Sequence, residues 1–198
     1  MPPGHLALTP EIDGFRNQFE QLSQEADRLV ASLTEEQFHW RPAPEAWGVA
    51  DCIEHLNVVA RLYLPSLDEG IANAIRRGQY ADGPFVYNWF SRLFVKSMEP
   101  PARLKMKAPQ SFVPGSARTR HEIMAAFRAY QVQFIDRLRQ ANGLDLARAR
   151  VTSPASRWIR LPLGGAFALT TAHERRHLWQ ARNVTTLAGF PKSSTGTP

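Results

Sequence analysis

The chain has a single cysteine, Cys52, among 198 residues. One thiol can form neither an intrachain disulfide nor a cysteine-based zinc site, and such sparing use fits a reducing compartment. No stretch approaches the roughly 18 uncharged apolar residues that a membrane-spanning helix needs. The start, MPPGHLALTPE, lacks the basic opening and apolar run of a secretory leader. The expectation is a cytoplasmic protein with no membrane span. Negative charge is scarce in one part only: residues 71–198 hold six Asp/Glu against twenty Lys/Arg, net +14, while 1–70 hold twelve against four, net −8. The overall charge of +6 thus arises from two parts of opposite sign, which can satisfy one another when packed. The basic residues are scattered, and neither a helix-turn-helix nor an RNA-binding signature accompanies them, so nucleic acid is not the expected partner.

What the chain does have is material for a core. A hydrophobic content of 43% with 10% aromatics excludes a disordered chain, and 198 residues suit a single domain, 1–198. Thr9 and Pro10 form a helix start, and Ile12, Phe15, Phe19, Leu22, Ala26, Leu29 and Leu33 recur at steps of three and four, predicting a first helix over 10–33. Two prolines make 38–44 a connector. Val49, Cys52, Ile53, Leu56, Val59, Ala60 and Tyr63 predict a second helix over 49–77, kinked or interrupted at Pro65. A capping box, Thr119 to Glu122, opens a third helix over 119–141, and Gly164-Gly165 begins a fourth over 164–187. The alternation of Trp158, Ile159 and Leu161 is too brief to predict a strand. The fold class is all-α, a four-helix bundle with long crossover connections.

The insertion 78–118 contains Phe85, Val86, Trp89, Phe90, Leu93 and Phe94 at helical spacing, which predicts a short extra amphipathic helix between the second and third. Its aromatic face could close over a pocket, lie on a membrane surface or pack on the bundle.

The chemistry concentrates in the fourth helix, at His173-Glu174-Arg175-Arg176-His177. Histidines at i and i+4 stand one above the other on a helix face, so both imidazoles can grip one ion. Ala166, Leu169, Thr170, His173, His177, Gln180, Ala181 and Val184 share that face, whereas Glu174, Arg175 and Arg182 point elsewhere. Spacing leaves two readings open: a metal pair, or two core histidines hydrogen-bonded to neighbours. His55 borders the apolar stripe of the second helix and is the best-placed third imidazole, with Asp51, one turn earlier, as an expected acceptor for its ring. His5, His39 and His121 are not expected to be ligands. The letters also match H-E-x-x-H, the zinc-protease motif, but that reading fails on ligand count. From Leu178 to Pro198 there is no His, Asp or Glu, and Gln180 and Asn183 stand where a metzincin needs glycine and histidine.

The segments WRPAPEAWGVADCIEHL (40–56), KAPQSFVP (107–114) and AHERRHLWQ (172–180) resemble the DinB-like superfamily, in particular its YfiT-type metal-binding branch, and the likeness covers nearly the whole chain. The resemblance implies a four-helix bundle holding a divalent metal (nickel, zinc or iron) through three histidines, at positions that match His55, His173 and His177. It further implies metal-dependent transfer of a low-molecular-weight thiol, or a related hydrolysis, on a small-molecule substrate. No catalytic side chain is assigned, a homodimer is left open, and a non-catalytic bundle stabilised by its ion is the alternative.

Overall fold

The helical seams read from the sequence become helices because their apolar positions find partners. In the computed structural model, described over residues 7–101, 110–115 and 118–192, the order is α1 (Pro10–Ala31), α2 (Glu35–His39), α3 (Val49–Arg76), α4 (Trp89–Met98), α5 (Arg120–Ala141), β1 (Arg150–Ser153), β2 (Ser156–Pro162) and α6 (Leu163–Val184). Four long helices, α1, α3, α5 and α6, make the bundle, with α1 and α3 each packed against both α5 and α6. The fold is the expected all-α one.

Local chemistry sets the helix ends. Thr119 accepts from the Glu122 amide while Glu122 accepts from the Thr119 amide, closing the capping box that starts α5. At the other end of α5, Asn142 Oδ1 accepts from the Thr9 amide at 2.9 Å, so one side chain joins the end of α5 to the start of α1. Pro65 does not interrupt α3, which runs unbroken through it. The proline and Arg61, whose carbonyl loses its helical partner, are both exposed, so water can satisfy that carbonyl.

Two elements differ from the sequence expectation. Glu35–His39 forms one helical turn that runs into the 38–44 stretch read as a connector, nucleated by Thr34, whose hydroxyl accepts from the Gln37 amide. Residues 150–162 form an antiparallel hairpin, with Val151 facing Leu161. Its strand signal is weak because only Leu161 and Pro162 of β2 are buried while Trp158 is exposed, so there is little alternation to detect. The hairpin seats on α3 at Gly70, where an added Cβ would lie 2.9 Å from both the Arg150 carbonyl oxygen and a Val151 methyl.

The core divides into two apolar clusters along the bundle axis. One gathers Phe15, Phe19, Leu67, Phe134, Leu138 and Phe167, with Phe19 and Phe134 stacked at 5.0 Å. The other gathers Leu22, Val30, Phe38, Ile53, Phe127 and Leu178. Along α5 and α6 the change from one to the other falls where Gln131, Thr170, Glu174 and His177 are buried. A polar waist therefore crosses the bundle, and polar groups at such depth persist only when something satisfies them.

Candidate metal centre

Helix α3 delivers His55 and α6 delivers His173 and His177 to this waist. His55 and His177 are buried and His173 keeps part of its surface accessible. One ring nitrogen from each lies within 4.8 Å of the other two, the sole such group of three His, Cys, Asp or Glu donors among the described residues. His173 Nε2 is 3.4 Å from His55 Nε2 and 3.1 Å from His177 Nε2. The separation of 118 residues between His55 and His173 is closed by the direct packing of α3 on α6.

The protonation states make this a set of acceptors. His55 Nδ1 donates to the Phe112 carbonyl at 2.7 Å, so the neutral ring turns the lone pair of Nε2 toward the other two histidines. Burial pushes the pKa of all three rings below the ordinary histidine value; around His173 and His177 the neighbouring imidazoles and the Arg176 guanidinium push it lower still. Near pH 7 the rings are neutral, the form that ligates metals. His177 Nδ1 is buried without a hydrogen-bond partner. Three nitrogens held by one tetrahedral zinc would lie about 3.4 Å apart, close to the separations of His173 Nε2 from its two neighbours. The donor set therefore fits a divalent cation, and three protein donors leave a further position for a small ligand.

The surroundings differ from expectation in three respects. Asp51 is not the acceptor for His55: its carboxylate takes the Gly48 amide at 2.9 Å and pairs with Arg41 through Nε, at 2.8 Å, and Nη2. It caps α3 in place of a side chain at Gly48, where any Cβ would collide with the Trp40 carbonyl. The acceptor is the Phe112 carbonyl, in a helical turn spanning Gln110–Phe112. A backbone oxygen leaves no mark in a sequence, although Phe112 belongs to the KAPQSFVP segment; residues 107–109 of that segment lie outside the described residues. Trp47 is the third: its ring lies 4.8 Å from His55 and 5.7 Å from His177, walling the site on one side.

Glu174 points away from the three histidines, as its position on the helix requires, but it is not solvated. It is buried against α5, accepts from Gln131 Nε2 at 3.0 Å, and its pKa is raised to about 8 by burial. The next two residues tether α4: Arg175 forms a two-pronged pair with Glu99, at 2.9 and 2.6 Å, and Arg176 donates to the Ser97 carbonyl. Cys52 is fully buried with its thiol pKa raised, first by burial and then by Asp51, so it is no nucleophile. His39 is exposed and bonded to Glu35, and His121 is exposed in the first turn of α5. His5 lies outside the described residues.

A helical bundle with three inward imidazoles, two on one helix and one on its neighbour, is a class of protein whose donors could hold a divalent metal. The family model of the DinB superfamily matches residues 18–181, and the chain belongs to that superfamily. No curated protein and no solved structure gives a significant match.

Proposed function

We propose that this protein is a metal-dependent enzyme that transfers a small thiol to an electrophilic compound, or carries out a related hydrolysis, with His55, His173 and His177 as ligands. The observation that carries the reading is the convergence of three neutral imidazoles, with His55 fixed in one tautomer by the Phe112 carbonyl. A divalent ion of the nickel, zinc or iron kind, when bound, would supply Lewis acidity and lower the pKa of a bound thiol or water. The chain's own groups orient and enclose. The Phe112 carbonyl holds the His55 ring, Trp47 shields one side, and the accessible part of His173 marks the side from which a small substrate would approach. No side-chain nucleophile is needed, in keeping with the inert position of Cys52.

The test is consumption of cysteinyl thiols, glutathione, mycothiol or bacillithiol by a generic electrophile, with protein loaded with each metal. His173→Ala is the control. Turnover by wild type that the control lacks supports the reading. Absence of turnover with every thiol and metal leaves the second reading, a bundle in which the ion only joins α3 to α6. The location of the triad at the junction of two apolar clusters favours that alternative. Its mark would be a chelator-sensitive melting temperature without turnover.

A further inference from the structure

Helix α4 packs only part of its apolar surface on the bundle. Its inner side carries the buried Ser91 and Met98 and the half-buried Phe94, which packs against the core, while Trp89, Phe90 and Leu93 are exposed at 73, 57 and 56%, with Val86 just before them at 84%. An amphipathic helix left to pack on a bundle turns its aromatics inward. Here the roll is fixed from both ends. Tyr87 donates to Glu11 on α1, Asn88 caps the Ser91 amide at 2.8 Å, and Glu99 and the Ser97 carbonyl are held by Arg175 and Arg176 of α6. The outward aromatics are thus presented by the fold, and exposed apolar surface of this extent marks a place of contact.

Charge narrows the choice of partner. Trp89, Arg92, Leu93 and Lys96 follow one another at helical steps and line one shallow surface cavity, and both cations are exposed. Between Gly83 and Met98 there is no Asp or Glu. An isologous contact with a second copy would set Arg92 and Lys96 of one chain near those of the other, like charge against like. Trp, Phe and Leu flanked by Arg and Lys on a helix of ten residues is instead the pattern of a segment lying flat in the headgroup region of an anionic bilayer. Among the described residues no helix is long and apolar enough to cross a membrane, so the contact would be with one surface.

We propose that the outer face of α4, through Val86, Trp89, Phe90 and Leu93 with Arg92 and Lys96, docks this protein onto an anionic lipid surface. The experiment is flotation of the full chain with vesicles of phosphatidylcholine alone and of an equal mixture of phosphatidylcholine and phosphatidylglycerol, at low and high salt. Flotation with the anionic vesicles, weakened by salt, is expected. Trp89→Ser/Leu93→Ser should reduce it about tenfold or more while the helical circular dichroism is unchanged. Arg92→Glu/Lys96→Glu should lose the anionic preference. Failure to float, equal flotation on neutral and anionic vesicles, or equal flotation of wild type and Trp89→Ser/Leu93→Ser overturns the proposal. So does a drop in sedimenting mass with Trp89→Ser/Leu93→Ser and no change in flotation, which would show that a second copy covers this face.

Discussion

His55 Nδ1 donates to the Phe112 carbonyl at 2.7 Å, across 57 residues of chain, and this bond selects which nitrogen of His55 faces His173 and His177. The ligand assignment it supports can be tested directly. His55→Ala, His173→Ala and His177→Ala should each lower bound zinc or nickel by about tenfold or more, whereas His39→Ala and His121→Ala should leave it unchanged. Elemental analysis of the purified variants measures this. Full metal in His55→Ala would remove α3 from the site.

Asp51 provides a control close to the site but outside it. Its carboxylate satisfies the Gly48 amide and the Arg41 guanidinium at the start of α3, so Asp51→Ala should cost about 1–2 kcal/mol of stability. Much of the Arg41 side chain is in water, which keeps that ion pair's share small. Metal content at saturation should match wild type, because His55 takes its orientation from Phe112. Urea unfolding and elemental analysis of one preparation separate the two effects. Loss of metal from folded Asp51→Ala would restore Asp51 as a support of the site.

What the sequence reveals and what it hides divide along physical lines. Long helices are legible because apolar side chains at steps of three and four repeat over many turns, as from Ile12 to Val30 in α1. The triad is legible because His173 and His177 occupy a face otherwise fit for packing, and the family segments select His55 as the third. The hairpin is hidden because it is short and mostly exposed on β2. The support of His55 is hidden because it is a backbone oxygen, and the role of Asp51 because a carboxylate one turn before a histidine can serve either the ring or the helix end. Glu174 faces away from the three histidines, as its place on the helix predicts, yet the neighbour awaiting it, Gln131 on α5, appears only once the helices are assembled.

Gly70 tests the hidden hairpin. Its position in mid-helix costs backbone entropy that alanine would avoid, so on an open helix Gly70→Ala would stabilise by about 0.5–1 kcal/mol. Here the new Cβ would sit 2.9 Å from the Arg150 carbonyl oxygen, a backbone atom that cannot swing aside. The expected net effect is a loss of about 1–3 kcal/mol, read from the urea midpoint. A gain in stability would show that β1 does not rest on α3.

Glu174 decides whether the H-E-x-x-H spelling has any bearing on the chemistry. In a metalloprotease the glutamate of that motif is the general base, and general acid–base groups contribute about 10²–10⁴-fold to rate. In this bundle the Glu174 carboxyl is buried among α5 side chains, with Oε1 accepting from Gln131 Nε2 at 3.0 Å and no bond to any of the three histidines. Glu174→Gln keeps the shape and the acceptor oxygen that Gln131 uses, so the helix contact survives. Bound metal should therefore equal wild type, and thiol consumption, once measurable, should stay within about twofold. A hundredfold fall in rate with metal retained would instead require the Glu174 side chain to leave Gln131 and reach the substrate, and would make it an acid–base group of this site.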